Sequence, residues 1–241
     1  MQRGQPFQLL EKAAREIAEG MRSCGSVPCA GQLLLEKVLL HGFQVCSMAQ
    51  ALFEDLRSLH GLGLEAEGRL LCAAILHDIG QLVSMKGHHK HSYRLLCGDE
   101  QTLSLLGEER RPLQRLLACV PHKYRPMTAL LARSHRKKEP HRLREFALLS
   151  EQEQKELMAG SALLRIADGL DESHLGTVSC LHAAEEEGTV TLFLSAKQPA
   201  MDSAADFAAA GQTLAGDAAR ALVKGRLFCA YFEKELQWKR A

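Results

Sequence analysis

The chain has 241 residues, 46% of them apolar but only 5% aromatic, so its core is built mainly from Leu, Ala, Val and Ile, a mix that favours packed helices over a β-sandwich. Thirty basic residues against twenty-nine acidic ones leave a formal charge of +1, and whole-molecule electrostatics gives no argument for a nucleic-acid partner. No apolar run reaches the ~18 residues that span a bilayer, and the polar N-terminus lacks a signal-peptide layout, so the expectation is a cytoplasmic protein with no membrane partner.

Residues 6–21 predict an amphipathic helix with Phe7, Leu10, Ala14, Ile17 and Met21 on one face. The stretch Ser23-Cys24-Gly25-Ser26-Val27-Pro28 breaks it. A long helix follows over 32–60, ended by Gly61 and Gly63, and another over 66–79. Gly80 stops the latter, as a residue that tolerates positive φ at a helix C-terminus. The His-rich segment 88–97 opens a further helix. Helical patterns recur at 100–107, 109–120 and 126–136, with Pro112, Pro121 and Pro126 at or near the breaks, and a long one spans 150–171. After Gly176 the texture changes. Val178–Ala183 and Thr189–Ala196 are β-rich and flank Glu185-Glu186-Glu187-Gly188, which predicts a hairpin. An Ala-rich stretch then leads to a closing helix over 216–238. The expected organisation is a helical domain over 1–175 with a small α+β extension, 176–241, packed on it. The eight cysteines contain no Cys-x-x-Cys pair and read mostly as reduced, small apolar residues inside helices.

Three of these helices carry a ligand-type side chain on an apolar stripe. Val38, His41, Val45, Met48 and Leu52 recur at steps of three and four; Leu70, Ala73, Ala74 and His77 do the same, and so do Leu157, Ser161, Leu164 and Asp168. Asp78 follows His77 at the end of an apolar run. A histidine and an acid there are expensive unless something pairs with them, and a divalent cation is the least strained partner. Two imidazoles and two carboxylates suit Mn, Fe, Co, Mg or Zn. Taken singly, His41 and His77 also fit hydrogen-bonded core histidines, with Asp168 paired to Arg165.

The blocks Ala74-Ile75-Leu76-His77-Asp78-Ile79-Gly80, His88-His89-Lys90-His91-Ser92 and Leu163-Leu164-Arg165-Ile166-Ala167-Asp168-Gly169-Leu170-Asp171 resemble the HD superfamily of metal phosphohydrolases. More narrowly, they resemble the helical HD-type domain at the C-terminus of the exopolyphosphatase/guanosine pentaphosphatase (Ppx/GppA) family. Ala51-Leu52-Phe53-Glu54-Asp55-Leu56, Ser134-His135-Arg136-Lys137 and Asp171-Glu172-Ser173-His174 extend the likeness over about residues 30–240. The resemblance implies an all-α HD-domain bundle with a small α+β C-terminal appendage, one β-hairpin and a closing helix. It implies His41, His77, Asp78 and Asp168 as metal ligands. His88 and His135 are then candidates for a second metal, with Asp78 bridging, or for the leaving-group acid if no second metal binds; His91 is a candidate to orient a ligand. That family's actin-like N-terminal domains and their Gly-rich phosphate loop are absent from this sequence, so exopolyphosphatase activity is not expected to carry over by name.

Lys90, Arg94, Arg133, Arg136, Lys137 and Lys138 form a local positive excess near those histidines in sequence. Forked arginine donors match phosphate well, which makes Lys90, Arg94, Arg136 and Arg165 the candidate phosphate-binding residues. Arg165, one turn before Asp168, is also placed to orient that carboxylate, and Arg136 to Lys138 fit a solvated face equally well. The aromatics are too scattered for a base-stacking platform. The expected function is metal-dependent hydrolysis of a nucleotide, alarmone or other phosphate ester, with Asp78, His88 and His135 in the catalytic machinery. The alternative is a non-catalytic Ppx/GppA-like module that binds polyphosphate, a guanosine nucleotide or a protein partner. A homodimer is suggested only by resemblance to the long family members.

Overall fold

The computed structural model describes residues 5–23, 29–136, 138–197 and 204–241. The predicted break at Cys24–Pro28, Lys137, and the side chain of Met21 lie outside what it describes.

Helix α1 (Gln5–Ser23) buries Leu10, Ala14, Ile17 and Ala18 and packs on α2 (Ala30–Asp55). The long helix expected over 32–60 is two elements: Leu56 leaves helical geometry, and the single-turn α3 (Arg57–His60) follows. Helix α4 (Leu64–Leu76) is apolar nearly all round, as a core helix must be. It runs through the middle of the bundle, touching α1, α2, α8 and α9. Around it lie α5 (His88–Leu96), the single-turn α6 (Glu100–Leu103), α7 (Arg110–Cys119), α8 (Arg125–Ser134) and α9 (Glu151–Gly169). Ser150 and Glu153 form a reciprocal capping box that starts α9, so the sequence signal for its N-terminus is met by side-chain hydrogen bonds.

One expectation about α4 needs correction. The helix ends at Leu76, and Gly80 lies inside a short 3-10 turn, Ile79–Leu82, without a positive φ. Glycine is required there by proximity instead. A Cβ would stand 2.1 Å from the His88 carbonyl oxygen and 2.4 Å from the Ser92 nitrogen, and the Gly80 N–H donates to Ser92 Oγ at 2.9 Å.

The tail begins with β1 (Val178–Glu186) and β2 (Thr189–Ala196), paired antiparallel as expected. Their connection, Glu187-Gly188, has positive φ at both residues, the backbone that matches strand twist in a two-residue turn. Helices α10 (Ala204–Lys224) and α11 (Arg226–Phe232) follow and pack on α9. The closing helix predicted to run to 238 stops early. Glu233 takes a left-handed conformation, and β3 (Glu235–Arg240) joins parallel to β2, completing a three-stranded sheet ordered β1-β2-β3. Leu236 and Trp238 alternate toward the core at a period of two, a strand pattern that the helical reading overlooked. The molecule is thus mostly helical with a small strand-and-helix appendage. Among the described residues, no helix is long and apolar enough to cross a membrane and all seven cysteines are free.

The contact that positions the site is that of α2 with α4. A Cβ on Gly42 would lie 2.4 Å from the Ile75 carbonyl oxygen, so only glycine lets the two backbones meet there. Gly42→Ala is expected to destabilise the protein by ~1–3 kcal/mol through overpacking. Gly20→Ala, where an added Cβ meets nothing within 4 Å, is expected to stabilise it by about 0.5–1 kcal/mol through helix propensity. Urea unfolding of both variants checks the pair of opposite signs.

Candidate metal centre

His41 comes from the middle of α2, His77 and Asp78 directly follow α4, and Asp168 sits in the last turn of α9. All four are buried. His41 Nε2 lies 3.4 Å and His77 Nε2 3.6 Å from Asp168 Oδ1, and His77 Nε2 is 3.8 Å from Asp78 Oδ1. Donor atoms that share one ion at ~2.1 Å stand about 3–3.5 Å from one another, so this spacing is close to that of a coordination sphere. The opening of α5 and the end of α8 add His88 and His135. His88 Nε2 is 3.0 Å and His135 Nε2 3.5 Å from Asp78 Oδ1, and the two Nε2 atoms are 3.2 Å apart. Two overlapping groups result, His41 with His77 and Asp168, and His77 with Asp78 and His135.

Every imidazole in the cluster is turned the same way. His77 Nδ1 donates to Ala74 O at 2.8 Å, His88 Nδ1 to Met85 O at 3.1 Å and His135 Nδ1 to Ala132 O at 2.6 Å. A carbonyl only accepts, so Nδ1 carries a proton in each ring and Nε2 is the atom turned to the centre. His41 Nδ1 is bound in the same sense to Asp171 Oδ2, 2.7 Å away. The carboxylates are held from behind as well. Gln81 Nε2 donates to Asp78 Oδ2 at 2.5 Å and Lys224 Nζ to Asp168 Oδ2 at 2.7 Å, which leaves one oxygen of each facing inward. Such outer partners fix ligand orientation in metal sites.

The residues fit a cation. His77 Nε2 and Asp78 Oδ1 are buried and make no hydrogen bond, a cost that folded proteins rarely bear without a ligand. His88 Nε2 and His135 Nε2 stand 3.2 Å apart, so a proton or a cation has to lie between them. Electrostatics shows what the protein does on its own. Burial disfavours charge on His41, but its contacts with Asp168 and Asp171 outweigh that and raise it to about 9. Burial opposes ionisation of Asp78 and Asp168 too, yet the neighbouring histidines, and Lys224 at Asp168, hold both below the usual carboxylate range. Burial and the neighbouring His77 push His135 down to about 3.

The candidate phosphate-binding residues divide. Arg165 does not pair with Asp168; Lys224 takes that place. Its guanidinium instead donates from Nε to Ser134 O at 2.8 Å and from Nη2 to Lys138 O at 2.7 Å and to Arg136 O, bracing the loop that carries His135. Lys90 and Arg94 are exposed on α5. Lys90 acts electrostatically on His89, as Arg136 does, whereas Arg94 acts on Asp99 beyond the helix end, away from the cluster. Arg136 is exposed and lines a cavity of about 510 Å³ that also touches His135, Arg165 and Lys224. His91, expected to orient a ligand, hydrogen-bonds to none of the six clustered side chains, and Asp171 and Gln81 perform that work.

The model of the family Ppx/GppA phosphatase, domain III, matches residues 39–205. The chain belongs to this family. The matched span contains His41, His77, Asp78, His88, His135 and Asp168 but ends before Lys224. No curated protein matches the chain. Sequence reasoning missed Lys224, which carries no motif and lies 56 residues from Asp168; its signal is a basic residue in the last turn of α10.

In protein stripped of divalent cations, His41 binds its proton more tightly when folded than at the ordinary value of 6.5. Its stabilisation is therefore complete below pH 6.5 and lost as pH rises through about 9. Chemical denaturation in chelator across pH 6–10 is expected to show this decline, and His41→Ala to flatten it.

Proposed function

We propose that this chain is a metal-dependent phosphohydrolase of the HD type, acting on a nucleotide, alarmone or other phosphate ester. The observation that carries the proposal is the buried, unpartnered pair of His77 Nε2 and Asp78 Oδ1 at the meeting point of three helices. His41, His77, Asp78 and Asp168 would hold one divalent ion (Mn, Fe, Co, Mg or Zn), and His88 and His135, with Asp78 between the groups, a second. When bound, such an ion polarises a phosphoryl oxygen and makes water a nucleophile near neutral pH.

The chain's own residues supply orientation and charge. Asp171, Gln81 and Lys224 keep the ligand atoms aimed inward, so little reorganisation is required on binding. Arg136, projecting into the adjoining cavity, faces the place where negative charge develops on a phosphoryl group. Arg165 acts at one remove by fixing the Ser134–Lys138 loop. His88 and His135, each with Nδ1 anchored to a carbonyl, offer Nε2 for holding a proton near the leaving oxygen where no second ion binds.

A second reading is favoured by the family itself, which is one domain of a phosphatase: a non-catalytic module that binds polyphosphate, a guanosine nucleotide or a protein partner. Asp78→Ala separates the two. With Mn or Co and a panel of nucleotides, the variant is expected to lose metal by elemental analysis and to turn over at least about 100-fold more slowly, since even outer partners of ligands are worth 10–100-fold. Unchanged turnover refutes the hydrolase. A parent protein that holds no metal and stays inactive after metal addition supports the module.

A further inference from the structure

The turn that follows α9 carries a histidine that the metal centre does not use. His174 is exposed, yet its backbone sits at a φ of 57°, a left-handed conformation uncommon for a residue with a side chain. The turn is tied down on both sides. The His174 N–H donates to Asp171 O at 2.9 Å and the Gly176 N–H to Asp171 Oδ1 at 2.7 Å. Ser173 donates from its N–H and its hydroxyl to the buried Asp217 of α10, at 2.9 and 2.8 Å. Backbone strain held this firmly by its surroundings collects where the placement of a side chain matters.

That placement is against the metal centre. The His174 ring lies on the His41 imidazole, with centroids 4.0 Å apart and planes tilted by 33°, while His77 meets His41 at 5.2 Å. A cavity of about 440 Å³ adjoins this stack, bounded by Leu33, Lys37 and Leu40 of α2, by Leu175 and by Lys197. His41 and Asp171 form part of its wall, yet each side chain is only 2% exposed. The hydrogen bond from His41 Nδ1 to Asp171 sets where the ring points. A second contact has to set its tilt, because a metal ion takes the Nε2 lone pair along one direction. We infer that His174 is a positioning residue for the metal centre: its ring fixes the plane of His41 and keeps cavity water from the His41–Asp171 hydrogen bond. This rests on the metal-binding reading and deepens it, since outer contacts of this kind govern how tightly a ligand set holds its ion.

The test compares the full chain with His174→Gly, which removes the ring and suits the positive φ. Cobalt(II) is the probe, titrated while its visible absorption bands are recorded. His174→Gly is expected to keep the parental unfolding midpoint in chelator but to bind cobalt about 10–100-fold more weakly, the usual worth of an outer partner, with altered bands. His174→Phe restores a ring without nitrogens. It is expected to recover the parental bands and most of the affinity while unfolding earlier, because phenylalanine resists this backbone. A merely structural role would move stability and cobalt binding together. In chelator, the His41 Nδ1–H is expected to give a resolved proton NMR signal in the parent and to lose it to solvent exchange in His174→Gly. If circular dichroism shows His174→Gly unfolded, His174→Asn, which also accepts this backbone, takes its place with the same expectations. Parental cobalt affinity or an unchanged His41 signal in a folded variant without the ring overturns the inference, as does a folded His174→Phe that binds as weakly as His174→Gly. A parent that takes up no cobalt refutes the metal reading, and the signal in chelator then decides alone whether His174 holds His41.

Discussion

Six ionisable side chains meet where α2, α4 and α9 cross, in an interior that otherwise offers them Leu, Ala and Ile. Removing such groups from water is costly, and nothing apolar around them offsets it. The arrangement therefore has to be internally compensated. The structure does this by turning each Nδ1 outward to an acceptor and each Nε2 inward, so that the uncompensated electron density collects in one place. A second proton on His41, at Nε2 facing Asp168 while Nδ1 keeps its bond to Asp171, neutralises part of that density when no cation is present. A divalent ion would compete with that proton for the same lone pair, coupling cation binding to proton release.

The rest of the fold can be understood as the means of bringing those helices close enough. Gly42 permits backbone contact between α2 and α4, and Gly169 does the same for α9 and α10, where a Cβ would stand 2.5 Å from the Ala221 Cα. The second contact is what delivers Lys224 to Asp168. With one oxygen tied to that ammonium, Asp168 has a single oxygen left for the centre, and Gln81 imposes the same restriction on Asp78. The tail is thus part of the site's electrostatics, because α10 supplies the cation that balances a ligand from α9.

How far the sequence could be read follows from what each feature depends on. His41, His77 and Asp168 were legible because each falls on a stripe with helical spacing, and helical spacing alone decides which face is buried. His88 and His135 came from motif resemblance and meet Asp78 in the structure. Lys224 and Asp171 were not assigned roles, because their partners are set by how helices pack and not by local pattern. Arg165 shows the same limit from the other side. One turn from Asp168 on the same helix, it fits an ion pair by sequence, yet its guanidinium turns to the Ser134–Lys138 carbonyls on a neighbouring segment. The closing strand was lost for a different reason: Leu236 and Trp238 alternate over only six residues, too short a run to outweigh the helical pattern before it.

Arg165 also connects the centre to the basic cavity. Buried and pushed down to about 10 by desolvation, it still has to satisfy several donors, and the carbonyls of Ser134, Arg136 and Lys138 do so. Those carbonyls belong to the loop that carries His135 on the metal side and Arg136 on the cavity side. One guanidinium therefore sets the position of a ligand-type imidazole and of a cavity-lining arginine together. If the centre holds a cation, such a rigid spacer keeps Arg136 from swinging toward the carboxylates that the centre would need for itself.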